Sequence, residues 1–143
     1  ILLALLALAC MHKGSPKAQK AEDEVIRVVT QYDQAYRKAL ATNVYAPLYR
    51  WAFASFLDQK VTPFIEEQKR RGCVLLTYVL TPMAITNISF DDINAEVQTS
   101  KHWRQVLRCP STPDRENLNR KFTMLYLLRY DGNQLKVFDS EGN

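Results

Sequence analysis

At Gly72 the chain changes rhythm, and that change restricts the fold more than any other feature of the sequence. Upstream, apolar residues recur at helical spacing: Val25, Val29, Tyr32, Tyr36 and Leu40 fall 4, 3, 4 and 4 apart, one face of a helix. The acids of Ala21-Glu22-Asp23-Glu24 precede that face and suit the positive end of a helix dipole, and the pattern runs out at Thr42-Asn43. Two more helices are expected. One covers Ala46–Phe56, with Leu48, Trp51, Ala52 and Phe56 inward; the other runs from Leu57 to Gly72, with Pro63 as a kink or a fresh first turn. Lys69-Arg70-Arg71 just before Gly72 is the cationic end of a helix rather than a nucleic-acid patch.

Downstream the period is two. "CVLLTYVL" reads as a strand broken by Pro82, followed by "AITNISF", the turn "DDIN", and "AEVQTSKHWRQVL", in which Ala95, Val97 and Thr99 alternate with Glu96, Gln98 and Ser100. "CPSTPDRENLN" reads as a loop, "KFTMLYLLRY" as a strand, "DGN" as a hairpin turn and "QLKVFD" as the last strand. Helices first and strands afterwards predict an α+β fold: three N-terminal helices packed on a curved antiparallel sheet of about five strands.

The first residues obey neither rhythm. Ile1 to Ala9 are all Ile, Leu or Ala, a run too short to span a bilayer but of the length of a signal-peptide h-region. With no Met or basic stretch before it, the run reads as the remainder of a longer leader. Ala7-Leu8-Ala9-Cys10 resembles the lipobox of bacterial lipoproteins, which implies cleavage before Cys10, lipidation of its thiol and a membrane partner through that anchor. A plain secretory signal cut after Ala9 is the alternative. His12 to Lys20, with Gly14, Ser15, Pro16 and three lysines, reads as a flexible tether, leaving residues 21–143 as one domain. The lipoprotein resemblance implies a bacterial cell envelope, with the domain lipid-anchored and facing the periplasm or exterior. With Cys10 assigned to lipid, Cys73 and Cys109 are either a disulfide or two buried thiols.

Composition excludes some functions. A hydrophobic content of 47% and a charged content of 24% suit one globular core. A net charge of +4, without a basic stripe interleaved with aromatics, gives no footprint for nucleic acid. Two histidines and four ungrouped glycines supply neither a zinc-ligand pattern nor a phosphate cradle, so no metal or cofactor is expected.

Four stretches, "EVIRVVTQYDQAYRKAL", "FIEEQKRRG", "NISFDDINAEVQTSKHW" and "MLYLLRYDGNQLKV", make residues 21–139 similar to the nuclear transport factor 2-like, SnoaL-like or cystatin-like superfamily of cone-shaped α+β domains. Within it the chain most resembles small bacterial envelope proteins and the intermembrane-space domain of plastid-division proteins and their cyanobacterial relatives. Two positions depart from that pattern. Lys101 stands where an acid often precedes the strand Trp103, and Leu135 where the last strand often has Trp.

The resemblance implies a pocket between the helices and the concave sheet face, with Tyr32, Tyr36, Tyr78, Trp103 and Tyr126 as candidate lining residues. An enzyme of isomerase or dehydratase type would need a carboxylate or histidine there. Asp91, Asp92 and Asp131 sit in turns, Glu96 alternates with apolar neighbours, and His102 lies on the face opposite Trp103. The expected function is therefore a non-enzymatic, envelope-tethered module. It binds a protein partner or a small apolar ligand through the pocket or the outer sheet face. Leu125 and Leu127 on that outer face would serve a homodimer.

Overall fold

The computed structural model describes residues 16–142, so the apolar run 1–9 and Cys10 lie outside the described residues. The chain is α+β, but its helical layer is not three helices. Helix α1 spans Pro16–Thr42, beginning inside the stretch expected to be tether. Pro16 takes the first helical position, where its missing N–H costs no bond, and the acids of residues 22–24 fall a turn and more further in. The predicted face is the one that packs: Val25, Val29, Tyr32 and Leu40 are buried.

No α-helix covers 46–56. A 3₁₀ turn spans Ala46–Arg50, and the backbone then turns aside to serve the sheet. The Phe53 N–H donates to Val137 O and the Val137 N–H to Trp51 O, both at 2.8 Å. A segment whose amides and carbonyls complete an edge strand cannot also close helical rings. A single turn, Ala54–Phe56, leads into a π turn, Leu57–Val61, and then into α2, Thr62–Arg70. The π turn ends at Val61, two residues before Pro63, whose ring would crowd a regular α-helical carbonyl behind it, so Pro63 falls in the first turn of a fresh helix. Gly72, at φ +69°, ends this helix as the pattern predicts, with its N–H donating to Lys69 O at 2.9 Å.

The sheet is antiparallel, as expected, in the order β1-β2-β3-β4: β1 Val74–Phe90, β2 Ala95–Cys109, β3 Thr112–Asp131 and β4 Gln134–Gly142. Pro82 does not break β1. Because β1 is an edge strand, its outer side forms no ladder, and register shifts at Val79/Thr81, Thr81/Ala84 and Ile85/Asn87 absorb the ring. Most of "CPSTPDRENLN" is likewise strand. Beyond Pro110-Ser111 the chain pairs with β2 (Leu107↔Arg115), and Arg104–Glu116 and Arg108–Asp114 ion pairs cross the ladder.

One further tie closes the helical layer onto the sheet. Asn43, left-handed at φ +59°, ends α1 and donates its side-chain amide to Cys73 O at 2.7 Å. The Gln68 amide donates to Leu40 O and to Asn43 Oδ1, joining the ends of α1 and α2 to the start of β1. Cys73 and Cys109, one step beyond the Val74↔Arg108 pair, are joined as a disulfide. The core lies between α1 and the inner faces of the strands, where Val97, Leu128 and Val137 meet Val29, Leu40 and Leu57.

Candidate functional site

Alternation along β2 decides what enters the space under α1. Ala95, Val97, Thr99, Lys101 and Trp103 are all buried, while Glu96, Gln98 and Arg104 face out. Lys101 therefore belongs to the inward set, one strand step from Trp103. On β3 the inward position Tyr126 pairs with Val97, and α1 supplies Tyr32, Asp33 and Tyr36 from above.

Tyr32, Tyr36, Lys101, Trp103 and Tyr126 line a pocket of about 570 Å³, further walled by Phe56, Met124 and Phe122 and by the polar side chains of Lys60, Gln105, Asn117 and Ser140. Its aromatic rings brace one another. Tyr32 stacks on Tyr36 at 6.0 Å between centroids and meets Tyr126 edge-on at 5.9 Å, while Trp103 meets Phe122 edge-on at 5.2 Å.

A charge pair is set into this wall. Lys101 Nζ forms an ion pair with Asp33 Oδ1 and donates to the Tyr126 hydroxyl, with side-chain exposures of 2% for Lys101 and 5% for Asp33. The same ammonium sits 4.7 Å from the Trp103 ring centroid and 4.9 Å from that of Tyr126. Arg37, one turn further along α1, donates to Asp33 Oδ2 at 3.1 Å. Burial pushes the Lys101 pKa below its ordinary value; Asp33 opposes that shift and Arg37 adds to it. Burial likewise raises the Tyr126 hydroxyl well above its ordinary value, and the Asp33 charge adds to the rise. Tyr32 is raised by burial, then by Tyr36 and Asp33; Tyr36 is raised by burial, then by Asp33.

Of the five residues expected in the pocket, Tyr32, Tyr36, Trp103 and Tyr126 meet there. Tyr78 does not. It pairs with Arg104 on β2, whose side chain faces out, and its own ring is exposed with the Arg104 guanidinium 5.5 Å from its centroid. His102 faces away from the pocket, with Nδ1 3.4 Å from Thr81 Oγ1. Asp91 closes its own turn, accepting the N–H groups of Ile93 and Asn94. Glu96 is exposed, and Leu125 and Leu127 on the outer face are half-buried.

Asp33, Arg37 and the inward role of Lys101 are what sequence reasoning missed. The signal was present as parity. Asp33 follows Val29 by four on the buried helical face, and Lys101 shares its alternation with Val97, Thr99 and Trp103. An acid and a base at inward positions on facing elements must find each other, because neither can be buried alone without a large penalty. Among the described residues, no group of three or more His, Cys, Asp or Glu is placed to hold a metal ion.

No protein-family model matches the sequence, and no curated protein matches it. Among solved structures, the chain is similar to the crystal structure of the intermembrane space region of the chloroplast protein ARC6. The TM-score is 0.72 at 15% identity, covering 90% of this chain and 98% of that one. At that identity the likeness is one of fold. It agrees with the resemblance to an intermembrane-space domain, whereas no family match supports the wider cone-shaped superfamily.

Proposed function

We propose that this protein is a non-enzymatic binding module. It is held at a bacterial envelope membrane through Cys10 and takes an apolar ligand, or an apolar segment of a protein partner, into the pocket under α1. The observation that carries this reading is the commitment of the pocket's buried charges. Lys101 and Asp33 are spent on each other and on Tyr126, so the surface left for a ligand is mainly aromatic and aliphatic, with Lys60, Gln105, Asn117 and Ser140 as its polar lining. The Tyr126 hydroxyl accepts from Lys101 and keeps its own proton, a polar handle beside Lys60, Gln105, Asn117 and Ser140 by which a ligand is oriented.

One feature favours a second reading, a small pocket enzyme. A lysine with a lowered pKa beside a tyrosine hydroxyl is a base next to a hydrogen-bond donor. Replacing the pair together, Asp33→Leu with Lys101→Met, separates the two readings. The double change keeps apolar volume and removes both buried charges, so the fold survives it. A binding module keeps its ligand; an enzyme loses turnover.

The direct test is native mass spectrometry of the full chain purified from an envelope extract. Expected is a bound ligand or partner. It should be lost on Met124→Trp, which fills the pocket, with the melting temperature unchanged, and kept in Phe90→Ser/Ile93→Ser at the far end of the fold. A ligand that survives Met124→Trp overturns the pocket reading. The anchor is tested separately, because Cys10→Ser should release the chain from membranes.

A further inference from the structure

At the end of the molecule where α1 begins, three large apolar side chains stand in solvent around one cleft. Phe90 is 50% exposed, Ile93 64% and Tyr130 55%, and all three line a pocket of about 470 Å³ walled on its other side by Ala21 and Val25 of α1. Single exposed apolar residues are ordinary; three around one cleft mark a surface that meets something apolar.

The cluster is held in place. The Asp91 carboxylate accepts the N–H groups of Ile93 and Asn94 at 2.9 and 2.7 Å, fixing the β1–β2 turn that carries Ile93. Arg129 donates to Asn94 Oδ1 from β3, and the Tyr130 hydroxyl donates to Glu24 on α1 at 3.0 Å. This end is therefore a rigid apolar tip rather than a loop that could fold its side chains away.

Its setting selects the occupant. Helix α1 starts at Pro16, five residues or about 7.5 Å along the helix before Ala21 at the cleft wall. Cys10 lies six residues before Pro16, at most about 20 Å of extended chain. An anchor on Cys10 thus keeps the tip within about 30 Å of the bilayer that holds it. At that range even weak insertion is favoured, because the tether makes it intramolecular. The neighbourhood also suits a headgroup layer. Trp51 lies close by with the Arg27 and Arg50 guanidinium groups 5.7 and 4.9 Å from its ring centroid, while Glu24 and Asp92 supply the opposite sign. Aromatic rings and long cationic side chains around an apolar centre are the composition of a membrane–water interface, and the mixed charge fits zwitterionic lipid.

We infer that this end is a membrane-contacting tip: with the chain anchored at Cys10, Phe90, Ile93 and Tyr130 enter the headgroup boundary of the same bilayer. The inference rests on the anchored reading above. It would orient the domain with α1 rising from the membrane and the pocket of Lys101 and Trp103 further along the sheet.

The chain allows a direct test. With Cys73 and Cys109 in a disulfide, Cys10 is the remaining thiol. The full chain is coupled through Cys10 to phosphatidylcholine vesicles containing a maleimide-headgroup lipid, which imitates the anchor. Ile93→Trp then places an indole at the tip, and brominated phosphatidylcholine quenches it on contact. Expected is a loss of emission and a blue shift in the variant beyond those of the parent, whose Trp51 and Trp103 give the background. Adding Phe90→Ser should reduce both. Equal quenching of variant and parent on coupled vesicles overturns the tip, as would self-association of the vesicle-free chain that Ile93→Ser abolishes. Fractionation of Cys10→Ser cells addresses the anchor alone. A chain that never depends on Cys10 for membrane retention, yet is quenched when coupled, supports the tip and refutes the anchor.

Discussion

The two ends of the inner sheet face reverse the usual placement of polar and apolar groups, each in its own way. Under the middle of α1, a lysine and an aspartate are buried among aromatic rings; at the start of α1, Phe90, Ile93 and Tyr130 are left in water. The first arrangement is self-satisfied: each charge has its partner, so the pair needs no ligand to complete it. The second is unsatisfied, because exposed apolar surface gains nothing until another surface covers it. The pocket is thus built to be stable when empty, whereas the tip contributes little to folding and is free to serve contact.

Substitutions can break that contrast, starting with the pair. Asp33→Ala leaves Lys101 buried without its counter-charge and should cost about 3–5 kcal/mol, read as a lower denaturant midpoint. The joint Asp33→Leu/Lys101→Met variant should cost far less; equal losses would mean that packing at these positions, rather than unpaired charge, sets the penalty. Removing the disulfide with Cys73→Ala/Cys109→Ala should cost about 2–4 kcal/mol, since it closes a loop of 36 residues at the far end from the tip.

pH probes the aromatic wall. Tyr32, Tyr36 and Tyr126 are raised above the ordinary value of 10.0 in the fold. Their contribution to stability is therefore complete below about pH 10 and lost as pH rises above it, because only the unfolded chain can ionise them there. Lys101, lowered in the fold, works in the other direction, adding stability as pH climbs toward 10.5, but one lysine offsets only part of the loss from three tyrosines, so the net decline begins near pH 10. Phenolate absorbance followed beside circular dichroism should show these three tyrosines ionising only as the chain unfolds. Tyr49, whose pKa is pushed up to about 12 chiefly by its hydrogen bond to Asp58, should titrate late but in the native state.

Smaller effects complete the series. Gly72→Ala forces a left-handed residue and brings a Cβ to 3.4 Å from Pro110 Cγ, costing about 1 kcal/mol. Phe90→Ser/Ile93→Ser should change stability by no more than about 0.5 kcal/mol while abolishing vesicle contact. A large stability loss there would show the tip to be part of the core and erase the contrast.

Much of this was legible beforehand, and the misses share a cause. The apolar face of α1, the Gly72 cap, the alternation of β2 and the "DGN" turn are local patterns, and each stands where its spacing puts it. Pro82 and the segment 46–56 went wrong because their local signals were outvoted. Pro82 is tolerated only because β1 has no outer neighbour, and Trp51–Phe53 leave helical geometry because Val137 offers their backbone a partner. Lys101 departs from the family pattern, yet its parity with Val97, Thr99 and Trp103 already points it inward.

The sequence by itself therefore determined the order of elements, the buried faces and the chain reversals, since these follow from side-chain periodicity and backbone freedom within a few residues. Only the tertiary structure decided the number of helices, the bridging of Cys73 to Cys109, and the meeting of Asp33, Lys101 and Tyr126. Those outcomes depend on which backbone groups and charges face one another across the fold. Asp33 and Lys101, for example, are separated by 68 positions along the chain.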